Sequence, residues 1–157
     1  MNEANAASYV IPDDALNLIP QRPPFLLVDR IIAGVPGQHA TSVYTVAPDN
    51  PVFSGHFPDF PVFPGVLVIE NMAQTACWVC ASMPGDPSSL YVLVRINQCT
   101  FQSMVRPGDE LRTQARLCRL IDQFVQFECE VTVRGESVAR AEMLVARRPP
   151  AGRHHAA

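Results

Sequence analysis

The sequence predicts an α+β fold in which an antiparallel sheet of about six strands wraps around a long central helix. Three observations predict it. From Gly65 to Met83 apolar side chains surround nearly the whole circumference of a helix, and a helix that is apolar all round is buried. After Pro84, Gly85 and Pro87 the chain changes period, and four long β-type segments follow, separated by turn residues. The chain has 157 residues, 48% of them apolar, enough for one domain with its own core. Residues 1–157 are read as that single domain, with an ordered core over about 12–148 and loose termini.

The elements follow in order. Asp13 or Asp14 is placed to cap a short helix through Leu18. Pro20, Pro23 and Pro24 then forbid regular structure. Phe25 to Ile32 reads as a strand, Gly34, Pro36 and Gly37 as a turn, and Thr41 to Val46 as a second strand. Residues 48–65 set Pro48, Pro51, Pro58, Pro61 and Pro64 among Phe53, Phe57, Phe60 and Phe63. Phenylalanines need burial, so this segment reads as a rigid packed loop and not a solvated linker. It ends at Pro64-Gly65, where proline suits the first turn of the helix. Tyr91–Phe101, Glu110–Leu120, Phe124–Arg134 and Ser137–Arg147 read as strands of an antiparallel meander. Turns fall at Pro107-Gly108-Asp109, Asp122-Gln123 and Arg134-Gly135-Glu136. The tail from Pro149 is expected to fray. Any apolar face left uncovered calls for a partner, and a second subunit is the expected one.

Composition excludes several functions. The net charge of -3 argues against a nucleic-acid binder. All 12 basic residues are arginines, so neither a lysine Schiff base nor a Walker A phosphate loop is available. Met1 to Ala7 has no positive charge and no uninterrupted apolar run follows, so no secretory signal is read. The longest apolar stretch, Val66 to Met83, is broken by Glu70, Asn71, Gln74 and Thr75, and no membrane span is expected. Five cysteines without a signal peptide read as reduced thiols of a cytoplasmic protein. Cys77 and Cys80 form a C-x-x-C, but deep in a helix instead of at its N-terminus, and no second ligand pair has zinc spacing. They read as small core residues, with no metal expected.

Three features carry chemistry. Glu70 lies on the second turn of an otherwise apolar helix, in a polar stripe with Asn71, Gln74 and Thr75. Either Gln74, one turn on, simply hydrogen-bonds it, or burial keeps the carboxyl protonated enough to act as an acid. His56 stands in Ser54-Gly55-His56-Phe57-Pro58, where a proline-braced loop would fix a general base. His39 borders a turn, and His154-His155 sit in the tail; neither has such a setting. The third feature is the helix start, where free N–H groups at Gly65 and Val66 could receive a carbonyl oxygen. The plain alternative is an ordinary Pro-Gly helix start.

Together these residues resemble a known family. The run FSGHFPDFPVFPGVLVIENMAQ, Phe53 to Gln74, resembles the signature of the FabZ-type 3-hydroxyacyl-[acyl-carrier-protein] dehydratases. LIPQRPPFLLVDRI, Leu18 to Ile31, and VRPGDEL, Val105 to Leu111, resemble other segments of that family. The likeness runs over roughly residues 16–147. It implies a hot-dog fold, a homodimer and possible assembly as a trimer of dimers. It implies His56 and Glu70 as the catalytic pair, drawn from opposite protomers, with the Gly65 N–H as oxyanion donor. Glutamate at position 70 points to the FabZ branch, since the related FabA dehydratase-isomerases carry aspartate there. The implied reaction converts a 3-hydroxyacyl thioester on the phosphopantetheine arm of an acyl carrier protein to the trans-2-enoyl thioester, with no cofactor. Phe60, Phe63, Val66, Ile69, Gln74, Val94, Arg95 and Ile96 are the expected substrate-binding residues.

The chain departs from the family in two places. Gln102-Ser103-Met104 follows Phe101 where the family has a basic residue and proline that help to dock the carrier. Arg106, Arg147 and Arg148 are the remaining basic candidates for that contact. Arg95 replaces a small residue. Two other readings stay open: a hot-dog thioesterase acting on the same thioesters, and a noncatalytic acyl-binding subunit.

Overall fold

The computed structural model describes residues 9–85 and 89–148; the expected frayed tail and His154-His155 lie outside them. Six strands, β1 (Arg30–Val35), β2 (His39–Thr45), β3 (Leu90–Phe101), β4 (Glu110–Ile121), β5 (Phe124–Val133) and β6 (Glu136–Arg148), form one sheet. A single α-helix, α1 (Gly65–Ala81), packs against it, and short 3₁₀ turns occupy Ala15–Leu18 and Pro51–Ser54. The strand order is β1-β2-β4-β5-β6-β3, with every neighbouring pair antiparallel.

Alternation explains which face meets the helix. Along β4, Leu111, Thr113 and Ala115 are buried while Arg112, Gln114 and Arg116 face out. Along β5, Val125, Phe127, Cys129, Val131 and Val133 point inward in the same way. Against them α1 buries Val68, Met72, Ala76, Trp78 and Val79. The sheet approaches so closely at Gly34 that a Cβ there would lie 2.8 Å from the His39 carbonyl and 3.0 Å from the Trp78 ring. Gly34 is thus a paired residue of β1, and the turn is confined to the residues between Val35 and His39.

Four expectations need correction. The last four strands are not one meander. β4, β5 and β6 run in sequence order, but both edges of β4 are occupied, by β2 and β5, so β3 pairs instead with the far side of β6. β3 therefore ends the sheet with one edge unpaired by any described strand. Secondly, Asp14 holds the N-cap position of the first 3₁₀ turn, yet its side chain makes no capping bond.

Thirdly, Phe25 to Asp29 is not a strand; β1 begins at Arg30. In its middle the Phe25 carbonyl and both backbone groups of Leu27 are taken by side chains of α1, and the first bond to β2 is that of the Asp29 N–H to the Val43 carbonyl, at 2.8 Å. Gln74 Oε1 accepts from the Leu27 N–H at 2.8 Å, Gln74 Nε2 donates to the Phe25 carbonyl at 2.8 Å, and Asn71 Nδ2 donates to the Leu27 carbonyl at 2.6 Å. A chain whose amides are paired in this way has no ladder to join. Fourthly, only two of the four loop phenylalanines are buried. Phe53 and Phe63 pack into the core with Tyr44, whereas Phe57 and Phe60 remain 52% and 47% exposed.

The buried polar stripe of α1 continues into the sheet. Thr113 on β4 donates to Asn71 Oδ1, and Ser42 on β2 shares a 2.7 Å bond with Thr75. Asn71→Ala should cost about 3 kcal/mol, because it leaves the Leu27 carbonyl and the Thr113 hydroxyl buried without partners. Urea unfolding measures this; a loss under about 1 kcal/mol would contradict the account.

Candidate active site

His56 is held by its own loop. Its N–H bonds the Val52 carbonyl at 3.0 Å, and its carbonyl accepts from the Val62 N–H at 3.0 Å. Phe57 and Phe60 exchange backbone bonds at 3.3 and 3.0 Å, closing a tight loop between them. The His56–Phe57 peptide is cis, and the two rings stack with centroids 4.1 Å apart. The decisive contact is His56 Nδ1 to the Val62 carbonyl, at 2.7 Å. A carbonyl can only accept, so Nδ1 carries the hydrogen and the neutral ring presents its lone pair at Nε2. No described residue bonds Nε2.

Behind this loop, a second one braces the helix start. The Phe63 N–H donates to the Val105 carbonyl at 2.8 Å. Asp109, itself buried, caps that turn by accepting from the Arg106 N–H at 2.8 Å and pairs with Arg134 at 2.9 Å. α1 then begins at Gly65 with Pro64 as N-cap. The first amides to bond within the helix region are those of Leu67 and Val68, both to the Pro64 carbonyl. The Gly65 and Val66 N–H groups thus have no partner among the described residues, as a helix start requires. Gly65 also gives passage to Phe101, whose ring would lie 2.9 Å from any Cβ added there.

Glu70 is half-buried one and a half turns further on. Its Oε1 accepts from Gln74 Nε2 at 2.9 Å and, more weakly, from Gln21 Nε2 at 3.5 Å. Its Oε2 has no partner among the described residues. The carboxyl is therefore asymmetric: one oxygen is anchored and the other is open. No ion pair or hydrogen bond joins Glu70 to His56 within the chain.

The substrate-binding expectations divide. Val66 is 72% exposed, Ile69 is half-buried, and Val94, Arg95 and Ile96 lie exposed on β3. Phe60 is open on one face and carries the Arg106 guanidinium 5.0 Å from its ring centroid. Phe63 differs: it is a core residue with no surface to offer. Gln74 also differs. It is fully buried, and its amide is committed to Leu27, Phe25 and Glu70, so it positions the carboxyl and has no N–H left for a substrate. Gln21 went unrecognised in the sequence because 49 residues separate it from Glu70. Of the other arginines, Arg147 donates to Ser89 at 2.9 Å and Arg148 is exposed at the end of β6. A cavity of about 600 Å³ on the outer face of the sheet, among Gln114, Arg116, Glu128, Glu130 and Arg140, contains neither His56 nor Glu70.

Comparison with known proteins agrees with this geometry. One layer of antiparallel sheet around a single helix is the hot-dog fold, and it is shared with solved structures. The chain superposes with a TM-score of 0.70 on the dehydratase heterocomplex ApeI:P of Xenorhabdus doucetiae, at 22% identity over 86% of this chain and 91% of that one. A hypothetical thioesterase with coenzyme A from Streptococcus pneumoniae superposes at 0.56, with 11% identity over 77% and 84%. The FabA-like domain family matches residues 19–142. At the sequence level the chain is 42% identical over 131 residues to the FabZ 3-hydroxyacyl-[acyl-carrier-protein] dehydratase of Polynucleobacter asymbioticus, covering 83% of this chain and 88% of the relative. The chain belongs to this FabA-like family, alongside the FabZ dehydratases.

The cysteines behave as core residues. Cys77, Cys80 and Cys129 are buried, and all five thiols are free. Burial first, and the charge of Glu70 second, push the Cys77 thiol up to about 12; burial likewise raises Cys80 and takes Cys129 to about 12. The folded state thus favours the neutral thiols. This contribution to stability is fully present below the ordinary thiol value of 9.0 and is lost as pH climbs from there toward about 12. Alkylation of native protein at pH 8 should label exposed Cys118 and spare Cys77, Cys80 and Cys129. Mass mapping reads this, and fast labelling of Cys77 would contradict it.

Proposed function

We propose that the protein is a 3-hydroxyacyl-[acyl-carrier-protein] dehydratase of fatty-acid or related acyl-chain synthesis, with His56 as base and Glu70 as acid. The observation that carries this reading is the His56 Nδ1 bond to the Val62 carbonyl, in a chain of the FabA-like family. It leaves Nε2 free to take the weakly acidic α-proton of the thioester. As the enolate develops, its oxygen would be received by the Gly65 N–H, a contact typically worth about 3 kcal/mol. Glu70 Oε2, the open oxygen, protonates the departing 3-hydroxyl, and water and the trans-2-enoyl thioester result. Every group in these steps belongs to the polypeptide, and the reading calls for no cofactor.

The site is completed by a second copy. Within one chain no hydrogen bond or ion pair joins His56 to Glu70. The partly open stripe of α1, with Val66 exposed and Ile69, Glu70 and Ala73 half-buried, and the open β3 edge, with Leu90, Val92, Val94 and Ile96 each 39–48% exposed, are the surfaces a twin would cover. The acyl chain would then run between Phe60, Val66 and Ile69 of one protomer and β3 residues such as Val94 and Ile96, with Arg95 at its border. Dimers of this kind could assemble further as a trimer of dimers. The partner in turnover is an acyl carrier protein delivering the thioester on its phosphopantetheine arm; Arg106, fixed over Phe60 beside the His56 loop, is the basic residue best placed to meet it. Among the described residues no helix is long and apolar enough to cross a membrane, and the reading places the enzyme in the cytoplasm.

Incubation with 3-hydroxybutyryl or crotonyl carrier-protein thioester, followed by mass spectrometry, tests the reaction. Interconversion by loss and gain of water is expected; free acid would indicate a thioesterase, and binding without turnover a noncatalytic subunit. His56→Ala should lower turnover by roughly 10²-fold or more with an unchanged circular dichroism spectrum. Activity within about tenfold of wild type would reject the base assignment. Glu70→Gln should lose most turnover while keeping its fold, since the amide retains the shape but cannot release the proton.

The shared site has its own test. His56→Ala and Glu70→Gln proteins, each inactive alone, are unfolded, mixed equally and refolded. About half the dimers would be mixed, each with one intact site, so roughly a quarter of wild-type activity should return. Near-zero recovery, with mixed dimers verified by native mass spectrometry, would place the whole site within one chain.

A further inference from the structure

We infer that Gln21 is a positioning residue for the acid: with Gln74 it holds Glu70 Oε1 as a permanent acceptor, so that the transferable proton is carried on Oε2. The inference rests on the dehydratase reading above and deepens it. Two amide donors converge on the same oxygen, Gln74 Nε2 at 2.9 Å and Gln21 Nε2 at 3.5 Å. They come from opposite sides of the chain, one a turn along the same helix and the other from the segment that precedes β1. When Glu70 releases its proton, negative charge develops on the carboxylate, and donors already aimed at Oε1 stabilise that charge without reorganising. Hydrogen bonds of this kind are often long before substrate binds and tighten afterwards.

The cost of the arrangement is visible at the other end of the Gln21 side chain. Gln21 Oε1 is buried and has no partner among the described residues. Such an orphan carbonyl is destabilising, and an apolar side chain of the same length would avoid it. Nothing in the packing requires an amide at this position, because the backbone of the segment is already fixed by Arg22, whose Nη1 donates to the Ile19 and Gln21 carbonyls at 2.5 and 2.7 Å. The remaining role for the amide is the N–H it turns toward Glu70. Gln74 cannot serve alone in both capacities, since its second N–H is committed to the Phe25 carbonyl.

Two variants test this against a purely structural role. Gln21→Met keeps the length and removes both the donor and the orphan acceptor. Dehydration of 3-hydroxybutyryl carrier-protein thioester should slow about tenfold in kcat, the effect of one hydrogen bond to a charged group, with KM within about twofold. The melting temperature should hold or rise. Gln21→His restores an N–H at that place and should recover most of the lost kcat. An unchanged kcat in Gln21→Met, an equal loss in both variants, or a fall in melting temperature with the loss of activity would each overturn the assignment. A wild-type protein that dehydrates no 3-hydroxyacyl thioester would instead overturn the parent reading, and this one with it.

Discussion

The amide of Gln74 is the constraint around which the rest is arranged. A helix that must be enclosed on most sides carries four polar side chains in its middle, and each buried polar group needs a partner. Gln74 meets the demand by binding the backbone of Phe25 and Leu27 on one side and Glu70 on the other. One side chain thereby holds an apolar, strand-like segment as a strap across the helix and orients the carboxyl of Glu70, the proposed acid. Asn71 and Thr75 repeat the device toward β4 and β2, so the helix is registered against the sheet by directional bonds as well as by packing.

The site itself is divided between two kinds of support. Glu70 stands on the helix and inherits the rigidity of the core. His56 stands on a loop, and that loop is made stiff by bonds from its backbone to itself and by Phe63, which anchors it in the core between Tyr44 and Phe53. The proposed oxyanion donors follow from topology, because the same loop ends where α1 begins and a helix start always has amides to spare. The proposed acid and the proposed oxyanion donor thus share α1, while the proposed base stands on the loop before it.

The surfaces left open are informative for the same reason. β3 is pushed to the edge of the sheet because β4 has no free side, and its apolar residues are exposed on both faces. A long apolar edge strand is a pairing hazard unless something covers it. That edge, the exposed Val66 at the start of α1 and the outward faces of Phe57 and Phe60 are the surfaces proposed to be covered in the assembled enzyme, where pairing would satisfy the edge and enclose the substrate together.

Much of this was legible in the sequence. Periodicity located α1, β2 and the four long strands to within a few residues, since alternation and helical spacing are local properties. The family likeness was legible because the run that holds His56, Gly65 and Glu70, the proposed site residues, is continuous. What the sequence could not express was pairing over distance. The displacement of β3 to the edge depends on β2 having claimed β4. The loss of strand structure at Phe25–Asp29 depends on side chains more than forty residues away. Phe57 and Phe60 look like Phe53 and Phe63 in sequence, and only the direction of the folded loop separates the buried pair from the exposed one. Gln21 reads as an ordinary polar residue among prolines; tertiary structure alone brings its amide to Glu70. Local pattern determines which elements form, and competition among distant groups for a limited number of hydrogen-bond partners decides how they are joined.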